Sequence, residues 1–188
     1  MKKSLGPRAI IQPNPVLIVG SYDQKGTANI MAAAWGGICC SKPPCATVSL
    51  RKATYSYGCI QHHRAYTINI PSVDFVKEAD YAGIYSGRNE DKFKALGLTA
   101  LKGEFVNAPY VEEFPLVLEC EVVEVIELGL HTQFVGEIKD IKADESILAE
   151  NGLPDITKVS PFIYDSAGKR YYALGKFLGK AYSVGRVD

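Results

Sequence analysis

Two short segments of the chain combine hydroxyl groups with positive charges. SLRKATYSY, residues 49–57, offers serine and threonine hydroxyls and two cations near the start of a predicted helix. SGRNEDKF, residues 86–93, adds a serine, a glycine, an arginine and a lysine. A phosphate group is bound by such side chains and by the free N–H groups at a helix start. The segments therefore predict a phosphate site, although either one alone is also typical of a solvated turn and a helix cap.

A run of small residues lies ahead of these segments. GTANIMAAAWGG, residues 26–37, places three consecutive alanines before the only tryptophan of the chain. Small residues in a strand allow a neighbouring element to approach closely, or leave a shelf for a flat ligand. Alanine also favours helices, so the run alone leaves a buried helix open. The turn YDQKG before it is typical of a hairpin and favours a strand.

The elements that must position these residues are mainly strands. Helices are predicted at residues 54–62, at 72–82 with Ser72 as a possible N-cap, and at 90–96. Runs of strands with inserted helices favour an antiparallel barrel. We expect the aromatic tail after Pro161 to pack on the rest of the chain, and residues 1–188 to form a single domain. Five segments have the composition, alternation and Gly, Pro, Asp or Asn boundaries of strands: PVLIVGSYD, ATVSLRK, AYTINIP, LVLECEVVEVIEL and HTQFVGEIKDIKAD.

The charges of the chain balance, with 21 Lys plus Arg and 21 Asp plus Glu. Such a chain lacks the basic field that favours nucleic acid or an anionic membrane. No apolar run approaches the roughly 20 residues of a bilayer span, and the first residues differ from a signal peptide. We therefore expect no nucleic-acid partner, no membrane association and a cytoplasmic location.

The five cysteines are expected to be reduced, because the chain shows no export signal. The four between residues 39 and 59 could join His62 and His63 in a metal site, but the paired spacings CxxC and HxxxH are missing from the sequence. We therefore predict no metal. A role in electron transfer for the thiols of Cys39, Cys40 and Cys45 stays open beside simple packing.

Six segments, in this order, resemble the flavin reductase-like family, and more closely its flavoredoxin-type members. The resemblance implies an FMN-binding split β-barrel, which is a mainly β, Greek-key antiparallel barrel with a few short helices. It also implies a homodimer. The segments span residues 13–138 and read PxPVLIVGSYDxxGxxNIMAAAW, SKPPxxTVSLRKATYSYxxI, INIPS, SGRNEDKF followed by LGL, LECEV, and GxHTQFVGEI.

In such a protein the phosphate of FMN would occupy the phosphate site, and the flat isoalloxazine ring would lie on the alanine run. Asn29 or nearby backbone groups are expected at the polar edge of the ring. Trp35 is expected as an anchor or wall, with a place in the core as the alternative. The candidate cofactor-binding residues are Thr27, Asn29, Ala32, Ala33, Ala34, Trp35, Ser49, Leu50, Arg51, Thr54, Ser56, Ser86, Gly87 and Lys92.

The resemblance places His131 of GLHTQFVG near the flavin or the nicotinamide. We predict that His131 is the catalytic residue. The alternative is that it is simply a polar residue at the start of a strand. Hydride transfer depends mostly on stacking two rings in register, so an imidazole would position nicotinamide or hold the charge of reduced flavin. The sequence has no Rossmann glycine fingerprint, so NADH or NADPH would bind transiently over the flavin.

Two functions follow from the resemblance. The first is an NAD(P)H-dependent flavin oxidoreductase that passes electrons to free flavin, a ferric chelate or another small acceptor. The second is an electron carrier that keeps its FMN and exchanges electrons with a redox protein partner.

Overall fold

The strands form three antiparallel sheets in the computed structural model, which describes residues 1–186. The strands are β1 (Asn14–Pro15), β2 (Leu17–Tyr22), β3 (Ala28–Ala33), β4 (Gly36–Ser41), β5 (Pro44–Arg51), β6 (Ala65–Ile70), β7 (Ala100–Lys102), β8 (Pro109–Val111), β9 (Leu116–Leu128), β10 (His131–Ala143), β11 (Phe162–Asp165) and β12 (Arg170–Ala173). The helices are α1 (Tyr55–His63), α2 (Val76–Ile84), α3 (Lys92–Leu96) and α4 (Ile156–Val159), with 3₁₀ turns at Val73–Phe75 and Glu145–Ile147.

The largest sheet has seven strands in the order β3-β2-β6-β9-β10-β5-β4. Its two edge strands, β3 and β4, are joined in the chain only by Ala34 and Trp35. The sheet must therefore curl until its edges meet. The backbone N–H of Ser49 in β5 donates to the carbonyl oxygen of Trp35 at 2.8 Å, which fixes this junction.

Two apolar clusters hold the curled sheet and the helices together. The first cluster fills the inside of the curled sheet and is made of Leu17, Val19, Ala46, Val48, Leu50, Ile60, Tyr66, Ile68, Cys120, Val122 and Phe134. The second lies on the outer face of β2 and β3, under α2 and α3, and is made of Val16, Ile18, Ile30, Ala79, Ala82, Phe93, Val111, Phe114 and Phe162. Successive residues of β2 alternate between the clusters, as the period of a strand requires.

The mainly β, antiparallel architecture and the predicted elements are confirmed, with differences in detail. Strand β9 coincides with the predicted segment, and α1 covers residues 55–63 where 54–62 was expected. Ser72 stands at the N-cap position of a 3₁₀ turn that precedes α2, but its side chain makes no capping hydrogen bond. A side-chain cap is present at a different helix, α3, where the carboxylate of Asp91 accepts from the backbone N–H of Lys94 at 3.1 Å. Strand β4 was not predicted.

The first part of the tail after Pro161 packs on the rest of the molecule, as expected. Strands β11 and β12 form a three-stranded sheet with β1, and Phe162 and Tyr171 pack against the second cluster. Between β12 and residue 186 several large apolar side chains are exposed. They are Leu174, Phe177, Leu178, Tyr182 and Val184.

Candidate functional site

A cavity of about 290 Å³ lies where the starts of α1 and α3 approach the end of α2, and we call it the Lys92 cavity. Both predicted phosphate-binding segments contribute to it, although they are about thirty residues apart in the sequence. It is lined by Met31, Ala53, Thr54, Tyr55, Ser56, Ala82, Gly83, Ile84, Tyr85, Ser86, Gly87, Arg88 and Lys92. The structure therefore brings five of the predicted residues together, namely Thr54, Ser56, Ser86, Gly87 and Lys92.

Lys92 is a buried positive charge in the wall of this cavity. The residue is 3% exposed, and its Nζ donates to the carbonyl oxygen of Ala82 at 3.1 Å. Within residues 1–186, it takes part in no ion pair. Burial lowers the pKa of Lys92 from its ordinary 10.5 to about 8. A buried ammonium group without an anionic partner is costly, so an anion in the cavity would stabilise it.

The start of α1 supplies a second attraction for an anion. Thr54 is the N-cap residue of this nine-residue helix, but its hydroxyl donates to the carbonyl oxygen of Arg51 at 2.8 Å and makes no capping bond. The first turn carries no acidic residue. The first N–H groups of α1 and the positive end of the helix dipole therefore remain available beside the cavity.

Asn29 braces the Lys92 cavity from behind. Its Nδ2 donates to the hydroxyl of Ser56 at 2.8 Å, and both residues are buried. The Oδ1 atom of Asn29 has no hydrogen-bond partner within the described part of the chain. A Cβ atom at Gly87 would lie 2.1 Å from this oxygen, so glycine is required for the loop after α2 to approach so closely. Asn29 thus lies against both predicted phosphate-binding segments, and its predicted place at the polar edge of the ring stays a prediction.

The alanine run borders a second cavity of about 360 Å³, on the other side of the end of α2. Gly83 and Ile84 line both cavities. Ala32 packs in the outer cluster and Ala33 in the inner one, because successive side chains of β3 point to opposite faces. Ala32, Ala33 and Ala34 nevertheless all line this second cavity, and the shelf for a flat ring that the sequence predicts there stays a prediction.

Trp35 stands in the wall of a third cavity, of about 690 Å³, together with Ala34, Ser49 and residues 8–11 of the N-terminal segment. It is 40% exposed, so it is not a core residue. The rings of Trp35 and His131 have centroids 4.7 Å apart at an interplanar angle of 47°. His131 opens β10, is partly buried and lines none of the three cavities, so Trp35 lies between it and the third cavity. The catalytic role predicted for His131 stays a prediction.

Arg51 and Lys52 do not line the Lys92 cavity, although both were predicted to bind phosphate. Arg51 is exposed at the end of β5, opposite His131 in the β5–β10 register. Lys52 Nζ lies 2.6 Å from a carboxylate oxygen of Glu127, and this hydrogen bond raises the pKa of Lys52. The arginine that does line the cavity with Lys92 is Arg88.

Thr27 and Leu50 also lie away from the three cavities. Thr27 is exposed in the turn after β2, and its backbone N–H donates to Oδ1 of Asp23 at 2.8 Å. Leu50 is 2% exposed, with its side chain in the inner cluster.

Tyr55 is a cavity residue that the sequence reasoning missed. Its hydroxyl donates to Oδ2 of Asp23 at 2.9 Å, and burial together with this hydrogen bond raises the pKa of Tyr55 to about 12. Its position next to Thr54, at a predicted helix start, was the available signal. Met31 and Tyr85 carried no comparable signal, because their places depend on how β3 and α2 meet.

Within residues 1–186, no three His, Cys, Asp or Glu side chains are grouped as metal ligands would be. None of the helices described here combines the length and apolarity that a bilayer crossing requires.

Comparisons with known proteins extend this picture. Residues 11–172 match the model of the flavin reductase like domain. A solved flavoredoxin of Desulfovibrio vulgaris (Miyazaki F) is 57% identical, with a TM-score of 0.94 over 99% of this chain and 100% of that chain. Flavoredoxin from Methanosarcina acetivorans is 33% identical, with a TM-score of 0.92 over 99% of this chain and 98% of that one. An FMN-binding protein from Thermus thermophilus, 23% identical with a TM-score of 0.80 over 95% and 99% of the two chains, shares the fold.

The antiparallel barrel is the split β-barrel fold of these FMN-binding neighbours. The chain belongs to the flavin reductase-like family, and it is structurally very similar to flavoredoxin. The predicted family and fold class are therefore confirmed.

Proposed function

We propose that this protein binds FMN and moves electrons through it between a donor and an acceptor. The observation that carries the proposal is the buried Lys92, without a counter-charge in the described chain, beside the uncapped start of α1. A phosphate monoester carries about −1.5 to −2 charges at neutral pH and several acceptor oxygens. The residues of the Lys92 cavity fit such a group in charge, in hydrogen-bond donors and in size.

In this proposal Lys92, the N–H groups of α1 and the hydroxyls of Thr54, Ser56 and Ser86 hold the phosphate. Asn29 keeps Ser56 in place through its 2.8 Å hydrogen bond. The ring would extend past the end of α2 toward Ala32 and Ala34, where the second and third cavities begin. Bound FMN supplies the capacity to accept a hydride and to release electrons singly or in pairs.

We propose an enzyme that takes its electrons from NADH or NADPH. The third cavity beside Trp35 is open and large enough for a transient small molecule. Trp35 would form its wall, and His131 would hold the Trp35 ring at a fixed angle. The family match to a flavin reductase like domain supports this function. A small molecule such as free flavin or a ferric chelate is the proposed acceptor.

The second candidate is an electron carrier that keeps FMN and serves a redox protein partner. The 57% identity to a flavoredoxin favours it. Anaerobic mixing of the purified protein with NADH or NADPH distinguishes the two functions, because rapid bleaching of the flavin absorbance supports the enzyme. A flavin that is reduced only by a protein donor supports the carrier.

We expect the bound flavin to be FMN and not FAD, because the Lys92 cavity offers donors for one phosphate group. The protein is denatured, and the released flavin is identified by chromatography. Release of FAD, or of no flavin from protein purified in the presence of FMN, would contradict the proposal.

We further propose a cytoplasmic, single-domain protein that works as a homodimer. The support for the dimer is the apolar surface beyond β12, where Phe177 and Leu178 are 82% and 85% exposed. Such a surface is usually covered by a partner. Light scattering at micromolar concentration should give twice the chain mass of 20.5 kDa, and a monomer would rule the dimer out.

A further inference from the structure

Three of the five cysteines lie together on the β4–β5 hairpin. In the register of the two strands, Ile38 is opposite Ala46 and Cys40 is opposite Cys45, with an irregularity between Ile38 and Cys40. Cys39 is therefore the extra residue of a β-bulge. A bulge sets two residues against one, so Cys39 and Cys40 both oppose Cys45.

The separations suit a bond between sulfur atoms. Directly opposed residues of an antiparallel pair have Cα atoms about 4.5 to 5.5 Å apart, and disulfides span Cα distances of about 4.4 to 6.8 Å. The sulfur of Cys39 also lies 3.5 Å from the carbonyl oxygen of Cys45.

The three thiols differ in access to solvent. Cys39 and Cys40 are exposed, whereas Cys45 is buried. Burial raises the pKa of the Cys45 thiol, and the nearby thiols of Cys39 and Cys40 raise it further. A soluble oxidant therefore meets the bulge thiols first, and Cys45 lies behind them as a second thiol.

We propose that Cys45 and a thiol of the bulge, Cys39 or Cys40, form a reversible disulfide. The oxidant is a small-molecule disulfide. The exposed thiolate attacks one sulfur of the oxidant, forms a mixed disulfide and releases one thiol. The Cys45 thiolate then attacks the bulge sulfur, forms the internal S–S bond and releases the second thiol. Two protein thiols are oxidised, and their two electrons and two protons are found on the two thiols released.

This bond would tie the edge strand β4 to β5. Strand β4 begins one residue after Trp35, whose carbonyl oxygen is already held by the N–H of Ser49. The disulfide would therefore restrain the segment that carries the wall of the third cavity. The proposal depends on the thiols alone and stands whether or not the protein binds FMN.

The test is incubation of the full chain with oxidised glutathione, followed by mass spectrometry of unreduced peptides. We expect two thiols per chain to be lost, a cross-link between Cys45 and residue 39 or 40, and full reversal by dithiothreitol. Closure should be faster at pH 9 than at pH 7, because the pKa of Cys45 is raised.

Two variants sharpen the test. Cys45→Ser should stop at the mixed disulfide and keep glutathione on the bulge, whereas Cys59→Ser, in α1, should close like wild type. An unchanged thiol content in wild-type protein overturns the proposal. A bond between Cys39 and Cys40, or one between two chains, overturns it equally, and these outcomes are read from wild-type peptides even if a variant does not fold.

Discussion

Replacing Lys92 by methionine separates cofactor binding from folding. The substitution keeps an unbranched side chain and removes the buried charge. A hydrogen bond to a charged group contributes about 1.5 to 3 kcal/mol, and about 1.4 kcal/mol corresponds to a tenfold change in affinity. We therefore expect Lys92→Met to bind FMN roughly ten- to a hundredfold more weakly than wild type.

The apoprotein should respond in the opposite direction. A change of one pKa unit corresponds to about 1.4 kcal/mol, so the fall of the Lys92 pKa from 10.5 to about 8 means that burial disfavours its charged form by about 3 kcal/mol. The unfolded chain binds more protons between these two pKa values, so the free energy of unfolding of the wild-type apoprotein rises with pH from 8 to 10.5. Apo Lys92→Met should lack this rise and be at least as stable as wild type at pH 7.

The assays are fluorescence titration of apoprotein with FMN and denaturant unfolding, each at several pH values. An FMN phosphate beside Lys92 would raise the pKa of the lysine again, so wild-type affinity should fall as the pH rises above about 8. Lys94→Met, on the exposed side of the same helix, is the matched control and should bind like wild type. Wild-type affinity in Lys92→Met would refute the assignment of the phosphate to this cavity.

Two further substitutions test the packing of the site and the role of His131. Gly87→Ala places a methyl group 2.1 Å from Oδ1 of Asn29, so it should lower both FMN affinity and the melting temperature. Gly58→Ala, where a Cβ atom meets nothing within 4 Å, should instead stabilise α1 by about 0.5 to 1 kcal/mol in thermal unfolding. Equal melting temperatures of the two variants would contradict the close approach of Gly87 to Asn29. His131→Ala should leave FMN bound but slow its anaerobic reduction roughly two- to tenfold in stopped flow, because an aromatic contact of about 0.5 to 1.5 kcal/mol with Trp35 is lost. Reduction at the wild-type rate would show that His131 has no part in the transfer.

Several parts of the fold could be read from local sequence patterns. The β-branched residues of LVLECEVVEVIEL and the flanking Pro115 and Gly129 marked β9 over its full length, because such residues favour an extended backbone and Pro and Gly end it. Strand β4, GGICCS, gave no such signal, since it is an exposed edge strand with two glycines and one β-branched residue. Its strand conformation comes from pairing with β5.

The candidate site likewise contains residues that local sequence patterns predict and residues that only the tertiary structure identifies. Residue types together with the family order of the segments selected Thr54, Ser56, Ser86, Gly87 and Lys92. Hydroxyls, cations and a helix start are local features that suit a phosphate, but either segment alone is also typical of a solvated turn. The sequence pattern did not separate Arg88 from Arg51 as the arginine near Lys92. That choice depends on the loop after α2 folding back onto β3, which a glycine at position 87 permits.

The sequence by itself determined the family, the strand-rich class and the kinds of side chain that meet a phosphate. Only the tertiary structure decided that Lys92 is a buried charge, that Asn29 supports Ser56, and that Ala32 and Ala33 point to opposite faces of β3. The physical reason is that burial and contact depend on which surfaces meet. The meeting of α2 and α3 with β3 joins residues about sixty positions apart in the chain.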